Sequence, residues 1–251
     1  MTAMWLVLGD PADRAAAWAY EGLRQRGLRP LQLLTPDALI RSARQEHRVG
    51  ADGTSFHIRL ADGRPLASSD IRGVLNRIVR APVHPPVLAT RADSDYAAEE
   101  LNALMLSWLL CVAPVTVNRP SPAGFCGAWR PSAQWAVLAA RAGLPVPVTT
   151  LSSRTGTAPR ELPATHSVVV LKKQVFGGER LPDARFLPDV LPACVRLARL
   201  AGTHLLGVGL HHDGEAVSFT GATPVPDLRI GGGALLDGLH RHFTGVPVTV
   251  G

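Results

Sequence analysis

Ala133-Gln134-Trp135-Ala136-Val137-Leu138-Ala139-Ala140-Arg141-Ala142-Gly143-Leu144-Pro145-Val146-Pro147-Val148-Thr149-Thr150 is the stretch on which the reading of this chain turns. Its first part, from Ser132 to Ala142, holds good helix formers and no internal Gly or Pro, so it predicts a helix that Gly143 stops. Pro145 and Pro147 then lack the N–H a helix needs and push their neighbours toward extended backbone, which predicts an extended segment through Leu151. Just upstream, the loop over 119–131 carries Pro120, Pro122 and Pro131, and it reads as a domain joint. The division expected from it is a first lobe over 1–118 and a second over 119–251.

Working outward toward the N-terminus, Trp5 to Gly9 is an apolar strand candidate. Asp10 and Asp13 supply acceptors for the free N–H groups of a helix over 14–26, and Gly27 ends it. A second strand over 30–34 completes a β-α-β opening, whose right-handed crossover makes the two strands parallel. Residues 45–69 alternate and are punctuated by Asp52-Gly53 and Asp62-Gly63, which predicts small antiparallel hairpins. A further strand is expected over 73–79, a long helix over 91–110 with its acids in the N-terminal half, and a strand over 114–118. Downstream of the quoted stretch come a Ser/Thr/Pro-rich loop (152–165), a strand over 167–176 and a helix over 187–201. A hairpin turning at Asp213-Gly214 follows, and a last helix opens at Gly231-Gly232-Gly233. The fold class is therefore α/β: an N-terminal parallel α/β lobe followed by an α+β lobe with an antiparallel sheet.

Composition removes several classes. With 251 residues, 46% hydrophobic and 18% charged, the chain buries a substantial core and is neither disordered nor fibrous. The three cysteines, Cys111, Cys126 and Cys194, show no CxxC spacing, which fits a reduced, cytoplasmic protein without a structural zinc. The N-terminus has no basic segment before its short apolar run, and the apolar stretch 103–113 is too short to cross a bilayer, so no membrane association is expected. The net charge is +6, yet the arginines form no run longer than doublets, and no nucleic-acid partner is expected. Lysine occurs only at Lys172 and Lys173 among the 26 basic residues. Adjacent histidines at 211 and 212 point to opposite faces of a strand, and His240 and His242 diverge on a helix, so neither pair makes a metal site.

The joint Asn118-Arg119-Pro120, the helix ending Ala-Arg-Ala-Gly-Leu, the Pro145-Val146-Pro147-Val148-Thr149-Thr150 step and the later Leu200-Ala201-Gly202-Thr203-His204-Leu205-Leu206-Gly207-Val208-Gly209-Leu210 run together resemble ATP-grasp ligases. The likeness is to the branch that closes macrocycles on ribosomally made peptides, the graspetide or microviridin-type ligases. It covers most of the chain. It implies an enzyme that phosphorylates a carboxylate with ATP and lets an amine or hydroxyl attack the acyl phosphate. Such transfer rests on positioning and charge neutralisation, with cationic side chains on the phosphates and carboxylate-held Mg²⁺ bridging them.

Set beside that pattern, this sequence is altered where the metal should sit. The family's acid in a Gly-Val-Asp-Leu type strand is matched by Gly209, and the Glu and Asn of its Phe-x-Glu-Val-Asn-Pro motif by Gly221 and Thr223. Neutral groups there remove the anionic oxygens that Mg²⁺ requires in place of water. Lys172 and Lys173, read as neighbours on one strand, would present only one ammonium to a given cleft. The nucleotide-covering lobe with its glycine-rich loop looks shortened. The resemblance thus implies a degenerate ATP-grasp-fold protein that binds a peptide or protein, such as a precursor peptide or an active ligase subunit, with no cofactor. The alternative is an active Mg-ATP-dependent ligase that uses Glu215, Asp227 or Asp213 as substitute ligands. Candidate nucleotide- or anion-binding residues are Lys172, Lys173, Arg77, Arg119 and Arg130. A homodimer is the default for such a fold, with the apolar run 101–110 serving equally as interface or core.

Overall fold

The computed structural model describes residues 3–51, 53–82, 90–148, 162–181 and 187–245. The extended run expected over 148–151 lies outside them except for Val148, as does the loop expected after it up to residue 161. The chain forms two compact units, Met1–Ala128 with Leu239–Gly251, and Trp129–Gly238. The sequence reading places the joint at 118/119.

In the first unit, β1 (Met4–Leu8) is an apolar strand whose Leu6, Val7 and Leu8 are wholly buried. Asp13 then caps α1 (Arg14–Gln25), accepting from the Ala15 and Ala16 amides at 2.9 and 3.0 Å, and α1 leads to β2 (Leu31–Leu34). The parallel sheet runs β2-β1-β6, with β6 spanning Ile71–Asn76, as the crossover rule requires. A short helix α2 (Pro36–Ile40), capped by Thr35, has no counterpart in the sequence reading; five residues carry too little periodicity to reveal it. The alternating region forms a separate antiparallel sheet β3-β4-β5 (Arg44–Gly50, Gly53–Arg59, Pro65–Ala67). Its Phe56 stacks on Trp108 of α3 (Arg91–Cys111), with ring centroids 4.7 Å apart. At about 1.5–3 kcal/mol for each fully buried large apolar side chain, contacts of this kind dominate the unit's stability.

The strand expected over 114–118 is not formed. Residues Ala113–Val115 make a 3-10 turn, and only Thr116 pairs with β6, opposite Val74. Pro114 offers no N–H, so the run is ill suited to a ladder.

In the second unit, α4 (Ser132–Ala142) ends on Gly143, whose φ of 86° is the left-handed cap that glycine adopts freely. The antiparallel sheet has the order β10-β9-β7-β8, with β7 His166–Leu171, β8 Gln174–Phe176, β9 Leu205–His212 and β10 Val217–Thr223. Helix α5 (Leu187–Leu200) joins α4 over one face, where Val168, Val170, Leu197 and Val208 close the core. On the other face, Leu171 and Phe176 approach Gly238 of α6 (Gly232–Thr244) so closely that a Cβ there would sit 3.1 Å from the Phe176 ring.

The single strand expected over 167–176 is in fact two strands folded back on each other. Lys172 and Lys173 are the turn between β7 and β8, both exposed, and so do not alternate across a strand. Lys172 has a φ of 54°, and among the described residues it is the only non-glycine with a positive φ. A β-carbon in that conformation costs about 1–2 kcal/mol relative to glycine.

Candidate functional site

The β9/β10 hairpin brings the three altered positions together. Gly221 lies opposite Gly209 in the strand register, and a bulge at Thr220 separates this pair from Phe219 and Leu210. They line a cleft of about 350 Å³ together with Thr223, Gly207, Ser167 and Asp227. The two glycines differ in the room around them. A Cβ at Gly221 would meet nothing within 4 Å, whereas one at Gly209 would stand 2.7 Å from the Thr220 Oγ1 and 3.3 Å from the Ala164 Cβ.

This donor set does not fit a carboxylate-held Mg²⁺. Among the described residues of the lining Asp227 is the one acid, and its two carboxylate oxygens accept from the Arg229 Nε and Nη2 at 2.8 and 2.7 Å. The other two substitute ligands lie elsewhere. Asp213 closes the hairpin turn, accepting from the Glu215 and Ala216 amides at 3.0 and 2.9 Å. Those bonds, Ala216's first, hold its carboxyl below the usual carboxylate range. Glu215 is exposed six residues before Gly221, roughly 20 Å along a strand. Among the described residues no group of three or more His, Cys, Asp or Glu side chains converges on a point. Nor does any cationic side chain line this cleft.

The five candidate anion-binding residues are not brought together. Arg77 belongs to the first unit and is buried, its guanidinium forked onto Asp13 with Nε–Oδ2 2.6 Å and Nη2–Oδ1 3.3 Å. Arg119 is exposed in the same unit. Arg130 lies in the second, donating to the Ala201 carbonyl at 2.9 Å with its guanidinium 5.2 Å from the Trp135 ring centroid. It shares a recess of about 390 Å³ with Trp129 and with Gly221, Ala222 and Thr223, which line the neutral cleft as well.

Lys172 and Lys173 line a third and larger hollow, of about 810 Å³, together with Arg196, Arg199 and His204. Arg196 and Arg199 stand at i, i+3 on α5, and the Lys172 amide donates to the His204 carbonyl at 2.6 Å, fastening the turn to the start of β9. The sequence reading does not single out Arg196 or Arg199, whose i, i+3 spacing is the only signal of them it contains, and it meets His204 only within the run that carries the family resemblance and beside the histidine pair it sets aside as a metal site. The basic hollow and the neutral cleft sit toward opposite ends of β7. Gly209 pairs with Ser167, and Lys172 follows five residues later, roughly 17 Å along the strand.

Cys126 holds a structural place in the first unit. Its Sγ donates to the Ile78 carbonyl at 3.0 Å beside buried Asn76, which itself donates to the Phe125 carbonyl at 2.8 Å, and burial pushes the thiol up to about 12. Among the described residues no helix is long and apolar enough to cross a membrane.

No protein-family model matches the chain, and no curated protein matches it. Solved structures do. Macrocyclase MdnC from Microcystis aeruginosa MRC, bound with precursor peptide MdnA, is 9% identical with a TM-score of 0.67, covering 97% of this chain and 100% of that one. ATP-grasp ligase PsnB, complexed with a phosphomimetic variant of its minimal precursor, Mg and ADP, is 18% identical with a TM-score of 0.65, covering 97% and 98%. A RiPP-associated ATP-grasp ligase of Chryseobacterium gregarium, in complex with ADP and a leader and core peptide, is 10% identical with a TM-score of 0.62, covering 96% and 93%. Likeness at these identities is likeness of architecture, and by it this chain has the fold of the RiPP-associated ATP-grasp ligases.

Proposed function

We propose that this chain is a degenerate ATP-grasp-fold protein, a cytoplasmic pseudo-ligase that acts by binding a peptide or protein in a peptide natural-product pathway. Residues 1–118 stand for the lobe that precedes the nucleotide site, and 119–251 for a shortened ATP-grasp lobe. The observation that carries the reading is the neutral cleft. Gly209, Gly221 and Thr223 stand together on an intact hairpin, while Asp227, the one carboxylate among its described residues, is already matched by Arg229. Hard Mg²⁺ gives up its water reluctantly and is held by one or two carboxylates together with phosphate oxygens, and without the metal the charge developing on a transferred phosphoryl group goes unneutralised. Peptide binding is what the fold retains without that chemistry. MdnC, PsnB and the Chryseobacterium ligase are each solved with a precursor, leader or core peptide. The partner is a precursor peptide or an active ligase subunit, and the working form is a homodimer. Lys172, Lys173 and Arg130 are the candidates for anionic groups on that partner, with Arg77 and Arg119 outside the unit that holds the cleft.

Purified protein incubated with Mg-ATP, a carboxylate-rich peptide and an amine is expected to release ADP no faster than the protein-free blank. ADP release that depends on protein and peptide would overturn the reading. A second reading, an active carboxylate–amine or carboxylate–hydroxyl ligase with substitute metal ligands, draws on the Mg and ADP held by PsnB. The two separate in a melting experiment. A nucleotide present at a hundred times its Kd adds about 2.7 kcal/mol of stability, so a ligase melts higher in millimolar Mg-ATP and the pseudo-ligase does not.

A further inference from the structure

The hollow at the β7–β8 turn joins four features. It is lined by Lys172, Lys173, Arg196, Arg199 and His204, with no acid among its described lining residues. Val195 and Ala198 give it an aliphatic floor. Its volume of about 810 Å³ is in the range that encloses a drug-sized ligand, which is also the scale of a few residues of peptide and much more than one phosphate needs. Lastly, Lys172 occupies a left-handed position where glycine would be cheaper, in a chain that otherwise uses arginine for every cation but its neighbour Lys173. The turn geometry does not call for lysine; the hollow gains an ammonium from it.

We propose that this basic hollow is a docking site for an acidic peptide segment, whose carboxylates meet Lys172, Lys173 and Arg199 while its aliphatic side chains cover Val195 and Ala198. The proposal rests on the peptide-binding reading and adds to it the place and the chemistry of the partner. A single-stranded nucleic acid is the less suited occupant, because no aromatic side chain among the described residues lines the hollow for bases to stack on. The site is separate from the neutral cleft near the other end of β7 and does not depend on metal or nucleotide.

The test is fluorescence anisotropy with a labelled short peptide alternating Glu with Ala or Leu, its counterpart with Gln for every Glu, and a dT oligonucleotide of equal length. The Glu peptide is expected to bind about tenfold or more tightly than the Gln peptide at low salt, and to weaken as salt is added. The double change Lys172→Glu/Lys173→Glu is expected to weaken it about tenfold or more without lowering the melting temperature. Lys172→Gly is expected to melt at or above the parent and still bind less well, a combination that a purely structural lysine would not produce. Equal binding of the Glu and Gln peptides, unaltered by charge reversal, overturns the docking site and leaves peptide binding standing. Binding of the oligonucleotide as tight as that of the Glu peptide overturns it in favour of a general polyanion surface, and binding of neither peptide overturns it outright. ADP release in the ligation assay fails the wider reading alone, since the anisotropy comparison contains no nucleotide.

Discussion

The Asp13 carboxylate serves two partners at once, the first amides of α1 and the guanidinium of Arg77. Both side chains of the ion pair are largely buried, so removing one leaves the other as an uncompensated charge. Arg77→Ala is expected to cost about 3 kcal/mol in urea unfolding of the first unit, more than any exposed ion pair such as Arg48–Glu46. The cap was legible in the sequence, since Asp13 stands directly before the helix pattern. Its second partner was not: the two residues lie 64 positions apart and meet only because β6 closes beside β1. The cysteines divide in a similar way. Cys126 and Cys194 are buried and their thiols pushed up to about 12, chiefly by desolvation, whereas Cys111 is half-buried with its Sγ 3.2 Å from the His47 Nε2. Iodoacetamide at mildly alkaline pH is expected to label Cys111 alone in the folded protein, read by peptide mass mapping. Labelling of Cys126 or Cys194 at a comparable rate would contradict the packing described.

Helix α3 opens with a reciprocal cap, in which the Asp93 amide donates to the Thr90 hydroxyl and the Thr90 amide donates to the Asp93 carboxylate. The Thr90 hydroxyl and then its amide hold the Asp93 carboxyl below its usual range. A depressed folded value means that the cap is complete at neutral pH and is lost as pH falls through that value. The first turn of α3 is therefore expected to exchange its amide hydrogens faster only in strong acid, and Asp93→Asn to remove that pH dependence. Elsewhere, Gly73 in β6 lies against Phe243 and Trp5, and a Cβ would stand 2.5 Å from the Phe243 ring. Gly73→Ala is expected to destabilise the first unit by about 1–3 kcal/mol, read as a lower denaturant midpoint. Elements were legible where polar punctuation marks their ends, as at Gly27, Gly143 and Asp213-Gly214. The β7–β8 turn was illegible because Lys-Lys carries none of the turn chemistry of Gly, Asn or Asp, and the surrounding apolar residues read as one strand. The ligand positions were legible only through the family resemblance, for nothing in three scattered neutral residues marks a site; the register that sets Gly221 opposite Gly209 gives them a common place.

For the molecule as a whole, the basic excess is not evenly functional. Among the described residues, ion pairs such as Arg64–Asp62 and Arg229–Asp227 are exposed arginines beside near neighbours and add little to stability. The cations of the β7–β8 hollow are gathered without an acid among the described residues of its lining. The order in which the two units appear along the chain matters at a different stage. The first unit is discontinuous, its closing piece Leu239–Gly251 following the whole of Trp129–Gly238. A ribosome working at roughly 5–20 residues per second spends about 6–22 s on the roughly 110 intervening residues. For that interval the slot beside Gly73 and Trp5 waits for Phe243, so the nascent first unit carries an open apolar seam while the second is being made. The slower the elongation, the longer that seam stays uncovered.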